Sequence, residues 1–126
     1  MKKIIHTPDA PAAIGTYNQA IEINGFIYTS GQIGIEPGTG TLVDGGMKEQ
    51  TMRVLNNIDA ILTAVGLDNT SIIKLTVFLT DLEGFGDVND AFQSYFGDVD
   101  YPARSTVEVS GLPLGAMVEI ECIASR

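Results

Sequence analysis

The chain has 126 residues, 44% of them hydrophobic and 7% aromatic. That is enough for one domain around a single core and too apolar for general disorder. Seven basic residues against 16 acidic ones leave a net charge of −9, which argues against a nucleic-acid partner, because Lys and Arg contacts to phosphate supply most of that affinity. One cysteine and one histidine exclude an intrachain disulfide, a cysteine-rich zinc site and a two-histidine acid–base pair within one subunit.

No apolar run approaches the roughly 18 residues that a membrane span needs. The start, Met1 to Pro8, lacks the ~7–15-residue apolar stretch of a secretory signal. The expected location is the cytoplasm, with no membrane partner. Gln19 to Ile23, Asn24-Gly25 and Phe26 to Ser30 read as a hairpin, with Asn-Gly supplying the positive φ angles of a type I′ turn. Gly34 to Gly46, rich in Gly, Pro and Thr, reads as a loop.

Met47, Thr51, Val54, Ile58, Ile61 and Val65 fall on one helix face, with Gly66 as the C-terminal cap. Ile72 to Leu79, dense in β-branched and apolar residues, predicts a central strand. Phe85, Val88, Phe92 and Tyr95/Phe96 mark a shorter helix ending before Gly97. Two strands close the chain, Ala103 to Val109 and Met117 to Ala124, joined through Ser110 to Gly115. The order β-β-α-β-α-β-β predicts a single α+β domain over residues 1–126, a mixed sheet with both helices packed on one face.

Strand alternation places Arg104, Thr106 and Glu108 on one face of their strand. On the last strand Glu119 and Glu121 share a face, opposite Val118, Ile120 and Cys122. If the two strands pair with each other, Arg104, Thr106 and Glu119 line a common face away from the helices. Taken singly, Arg104 reads as a surface or ion-paired arginine and Glu119 as a solvated strand residue. Tyr17 reads as a partly buried aromatic before a strand. Asn89, on the helix stripe between Phe85 and Phe92, reads equally as support for the fold or a subunit contact, and Ser30 as the anchor of a turn. Cys122, on the apolar side, reads as a core residue instead of a nucleophile. His6 has no assigned role.

Together these segments carry a resemblance. Ala10 to Ala20, Thr29 to Ile33, Asn56 to Ile58, Lys74 to Leu82, Val88-Asn89, Tyr101 to Val109 and Val118 to Glu121 make the sequence similar, nearly end to end, to the RidA/YjgF family of reactive-intermediate deaminases. The resemblance implies a YjgF/chorismate-mutase-like fold and a homotrimer with sites in the clefts between subunits. It implies hydrolysis of 2-imino and 2-enamino acids, such as 2-aminoacrylate and 2-iminopropanoate, to 2-keto acids and ammonia, without cofactor or metal.

The positions matching the family site are Tyr17, Ser30, Gly31, Asn89, Arg104, Thr106 and Glu119. Arg104 would hold the substrate carboxylate through two parallel hydrogen bonds. Glu119 would orient water and take its proton, with Tyr17 as a second catalytic group. Ser30, Gly31, Asn89 and the Thr106 amide would complete the binding pocket. Two positions depart from the family pattern: Thr16 stands where proline is common, and Thr106 where many members carry cysteine, which weakens any thiol mechanism. Two other functions are open to the same fold, a non-catalytic binder of small carboxylates and an endoribonuclease or translation inhibitor. The net charge and single histidine argue against the second.

Overall fold

The computed structural model describes all of residues 1–126. Its elements run β1 (Lys3–Ile5), β2 (Ala20–Ile23), β3 (Phe26–Thr29), α1 (Met47–Thr63), β4 (Ile72–Leu79), α2 (Phe85–Phe96), β5 (Ala103–Glu108) and β6 (Val118–Ser125). The expected order is recovered with one strand added in front. The short β1 pairs antiparallel with β2; three residues give too short a pattern to announce a strand. Asn24 (φ 53°) and Gly25 (φ 81°) form the hairpin turn between β2 and β3.

The six strands lie in the order β1-β2-β3-β6-β4-β5. All neighbours are antiparallel except β4 and β5. The expected pairing of the last two strands is therefore corrected: β6 inserts between β3 and β4, and β5 lies at the sheet edge beyond β4. The helix α2 connects β4 to β5, and such a crossover returns the chain parallel to the strand it left. The polar sequence of β5 also suits an edge. By contrast, β6 pairs with β4 from Leu79↔Val118 to Ile72↔Ala124, and its Val118, Ile120, Cys122 and Ala124 are sealed in the core.

Both helices cover one face of this sheet. Helix α1 is capped by Gly46, whose N–H donates to Glu49 Oε1 at 2.8 Å, and it ends before Gly66 (φ +77°). Its Val54, Leu55, Ile58, Ile61 and Leu62 have no exposed surface, and each such side chain contributes about 1.5–3 kcal/mol. An aspartate at Ile58 would put an unpaired charge at the centre of that layer. Helix α2 adds Val88, Ala91, Phe92 and Phe96, and the Tyr95 hydroxyl donates to Asp59 Oδ1 of α1 at 2.7 Å. No helix is long and apolar enough to cross a membrane.

The other sheet face carries no layer from this chain. Register places Phe26 and Tyr28 of β3, Ile123 of β6 and Phe78 of β4 there, with Phe26 and Tyr28 40% and 44% exposed.

Candidate active site in two halves

The first half forms on the open face. In β6, Ile120 points into the core, so Glu119 points out. The chain leaving β3 runs on antiparallel beside β6: Gln32 and Ile120 exchange backbone hydrogen bonds at 2.9 and 3.0 Å, and Gly31 lies against the Glu119 carboxylate. A Cβ at position 31 would come within 2.5 Å of Glu119 Oε2 and 2.7 Å of Cδ. Gly31 is required by space, since no side chain fits without displacing the carboxylate.

Around this contact two loops are tied down by side chains. The Ser30 hydroxyl donates to the Asn18 carbonyl at 2.6 Å. The buried Gln19 accepts from the Thr7 amide at 2.7 Å and donates to the carbonyls of Thr7, Ala10 and Pro11. Buried Asn57 of α1 likewise donates to the carbonyls of Ile33 and Ile35. A pocket of about 440 Å³ results, in which Tyr17, Ser30, Gly31, Gln32 and Glu119 face Pro11, Ala12, Ile14, Ile33, Ile35 and Pro113. Tyr17 is half exposed, its hydroxyl accepting from the Ile14 amide at 3.4 Å. Burial, and then the like charge of Glu121, raise the Glu119 carboxyl above the ordinary glutamate range. A carboxylate so placed is a stronger base than a free one.

The second half forms under α2 at the sheet edge. Arg104 pairs with Leu75, and Thr106 with Val77. Leu75 and Val77 are core residues, so Arg104 and Thr106 face the helix layer. The guanidinium donates to Asn89 Oδ1 at 2.8 Å and lies 5.0 and 4.9 Å from the ring centroids of Phe85 and Phe92. Two aromatic faces and one amide fix its plane, and its remaining N–H groups are free to bind. Partial burial lowers its pKa, yet an arginine stays charged.

Asn89, Phe92, Gln93, Tyr101, Pro102 and Arg104 enclose about 460 Å³ here. The Val109 amide donates inward to the Leu79 carbonyl at 2.8 Å. Amides alternate between the two sides of a strand, so the Thr106 N–H points out along the free edge of β5. The Thr106 hydroxyl is buried and has no hydrogen-bond partner.

The site residues named from the sequence thus fall into two sets. Tyr17, Ser30, Gly31 and Glu119 meet on the open face; Asn89, Arg104 and Thr106 meet at the helix-side edge. The expectation that Arg104, Thr106 and Glu119 share a sheet face is corrected, because it assumed that β5 pairs with β6. Cys122 is buried as expected, its thiol pushed up to about 12 by burial, and it is no nucleophile. His6 is exposed. No three His, Cys, Asp or Glu side chains gather where they could hold a metal ion.

Sequence reasoning missed the loop anchors Gln19 and Asn57 and the two rings holding Arg104. The phenylalanines lay on the helix stripe and read as core. A buried glutamine leaves no local signal.

The family described as Endoribonuclease L-PSP matches residues 7–126. A RutC family protein of Aquifex aeolicus is 50% identical over 97% of this chain and 98% of its own. The 2-iminobutanoate/2-iminopropanoate deaminase of Bos taurus is 48% identical over 98% of this chain and 90% of its own. Among solved structures, a conserved Rid family protein of unknown function, YyfA from Yersinia pestis, superposes with a TM-score of 0.97 at 51% identity, covering 100% of both chains. Escherichia coli TdcF with bound serine superposes with a TM-score of 0.94 at 42% identity, covering 98% of each.

Proposed function

For this chain, which belongs to the endoribonuclease L-PSP family, also called RidA/YjgF, we propose the activity of a cofactor-free hydrolase that converts 2-imino and 2-enamino acids to 2-keto acids and ammonia. The observation that carries the reading is the pair of half-sites: a raised carboxylate packed on Gly31 and a guanidinium clamped by Asn89, Phe85 and Phe92. Lying on opposite faces of one sheet, they complete a site only when two copies adjoin. A homotrimer in which the edge of one subunit meets the open face of the next brings them together, and it covers the apolar side chains of that face.

In the completed cleft Arg104 and the Thr106 amide hold the substrate carboxylate. C2 of the imine then faces Glu119. Water adds through its oxygen to C2, the C=N π electrons go to nitrogen, and Glu119 accepts the water proton. The resulting carbinolamine re-forms a C=O bond as the C–N bond breaks, and the protonated nitrogen leaves as ammonia. Tyr17 and Ser30 line the path of the water. No redox step enters, and holding water and imine in reach supplies much of the acceleration.

The deciding experiment couples an amino-acid oxidase to semicarbazide, which traps the imines that the oxidase releases. Added protein is expected to lower the trapped-imine signal while the imine diverted from the trap appears as additional 2-keto acid and ammonia. An undiminished signal across a panel of amino acids would overturn the hydrolase and leave a carboxylate-binding module.

A further inference from the structure

Ile33, Ile35 and Pro113 wall the Glu119 pocket, yet they do not belong to the main core. Ile33, Ile35 and Ala116, with Leu42 and Leu112 against them, form a small apolar cluster of their own. Polar side chains of α1 tie that cluster to the body of the fold. Asn57 donates to the Ile33 and Ile35 carbonyls at 3.3 and 2.9 Å. Gln50, two helical turns earlier and so on the same face, is buried, and its Oε1 accepts from the Met117 amide at 2.9 Å. Gly34 lies on Gln50 itself: a Cβ there would meet the Gln50 carbonyl oxygen at 3.0 Å and its Cα at 3.1 Å.

The Met117 amide closes a turn that is strained on its own. Leu114 (φ 58°) and Gly115 (φ 71°) are successive left-handed residues, a conformation costly for leucine that persists only where the surroundings fix it. The Ala116 N–H donates back to the Pro113 carbonyl at 3.0 Å. Met117 is then gripped from two sides, its amide by Gln50 and its carbonyl by the Thr80 N–H at 3.1 Å. Two residues further on stands Glu119. Gln50 thus joins both walls, one through its side chain and the other through its backbone. A leucine would fill the same buried position without desolvating an amide, so packing alone does not explain a glutamine there.

We infer that Gln50 is a positioning residue for the reaction: it sets the spacing of the Ile33–Ile35 and Pro113 walls, and with it the placement of the Glu119 carboxylate and the water it activates. The inference rests on the deaminase reading and goes beyond it by placing a determinant of turnover on α1, outside the pocket lining. Arg104 and its clamp are in the other half-site, so the loss of Gln50 should fall on kcat and spare substrate binding.

The test measures kcat and KM by imine decay, with thermal unfolding, on the full-length protein. Gln50→Leu removes the acceptor and should lower kcat at least about tenfold, toward the roughly 10²-fold that a 1 Å misplacement costs. KM should stay within about threefold. Gln50→Glu keeps an acceptor for the Met117 amide, and its charge falls at the N-terminal end of α1, where the helix dipole favours it. It should bring kcat back to within about threefold of native. Gly34→Ala presses the other wall away from the helix with the Gln50 hydrogen bond kept, and should lower kcat as Gln50→Leu does. Ile61→Val, three turns further along α1, removes buried apolar surface and should cost stability while kcat is kept.

Native kcat in Gln50→Leu, a loss that Gln50→Glu leaves unrepaired, or a loss that Ile61→Val shares would overturn the inference and leave Gln50 a residue of the fold alone. Where Gln50→Leu does not fold, native kcat in Gly34→Ala overturns it instead. Any of these results beside imine hydrolysis by the native protein leaves the deaminase reading standing. Absence of hydrolysis by the native protein removes both.

Discussion

Strands β5 and β6 both alternate polar with apolar residues, yet they turn opposite sides to the helices. In β6 the apolar set, Val118, Ile120 and Cys122, is sealed under α1 and α2, and Glu119 and Glu121 face away. In β5 it is Arg104, Thr106 and Glu108 that lie on the helix side, while Ser105 and Val107 face the open side. Alternation fixes which residues of a strand go together, and only position in the sheet fixes where they go. At the edge the helix layer thins out, so a cation can sit beneath α2 and still be reached. In the middle of the sheet the same orientation would bury it unpaired.

The largest expected effect breaks this comparison apart and then repairs it. Arg104→Ala removes two charge-assisted hydrogen bonds of about 1.5–3 kcal/mol each and should lower kcat/KM on the order of 10³-fold without unfolding the protein. Glu119→Gln should lower turnover by roughly 10²–10⁴, the scale of general base catalysis. If the halves come from different subunits, unfolding the two variants together and refolding them as mixed trimers should restore activity. One site in four then joins an intact Glu119 to an intact Arg104, giving about a quarter of native activity. No recovery on mixing would place both groups in the same subunit's site and overturn the shared cleft.

Gly31→Ala sharpens the comparison on the open face alone. The added methyl must displace the Glu119 carboxylate, and a displacement on the order of 1 Å costs roughly 10²-fold in rate. Binding of 2-oxobutyrate, held by Arg104, should change far less. Kinetics and calorimetry on one preparation separate the two, and parallel losses would mean that Gly31 shapes both halves. Cys122→Ser probes the sealed face of β6. Turnover should persist while thermal unfolding reports a loss of about 1–3 kcal/mol, because the hydroxyl enters a core with no partner provided for it.

These contrasts also mark what could be read from the sequence. Helices α1 and α2, strand β4 and the Asn24-Gly25 hairpin follow from periodicity and turn chemistry, which are local. The choice of candidate site residues came from family resemblance, because Arg104 and Glu119 taken singly look like ordinary surface charges. The sheet order was not legible: the segment 109–117 invites a hairpin, and nothing local says that β6 prefers the buried place beside β4. That one error put Arg104 and Glu119 on the same face. Gln19 and Asn57 were invisible for a related reason, since each acts on residues far along the chain. The clamp of Phe85 and Phe92 on Arg104 needed β5 at the edge before it could be seen.

The smallest expected effect concerns Glu121, which touches neither half but shares the open face with Glu119. Burial is the larger cause of the raised Glu119 carboxyl and the charge of Glu121 the smaller. A general base works only when ionised, so kcat/KM should climb with pH through a limb lying above the ordinary glutamate range. Glu121→Gln removes the like charge, favours ionisation of Glu119 and should move that limb to lower pH, by less than burial contributes, with the plateau rate kept. Stability has its own sign. The folded Glu119 carboxyl holds its proton more tightly than the unfolded one, so the fold gains stability as pH falls through the folded pKa. Glu119→Gln should therefore stabilise the protein at neutral pH, and that advantage should vanish in acid. Measured imine decay, corrected for the uncatalysed rate at each pH, gives the limb, and thermal unfolding across the same buffers gives the stability. A limb that Glu121→Gln leaves in place, or moves upward, would show that the group titrating in the rate is not Glu119.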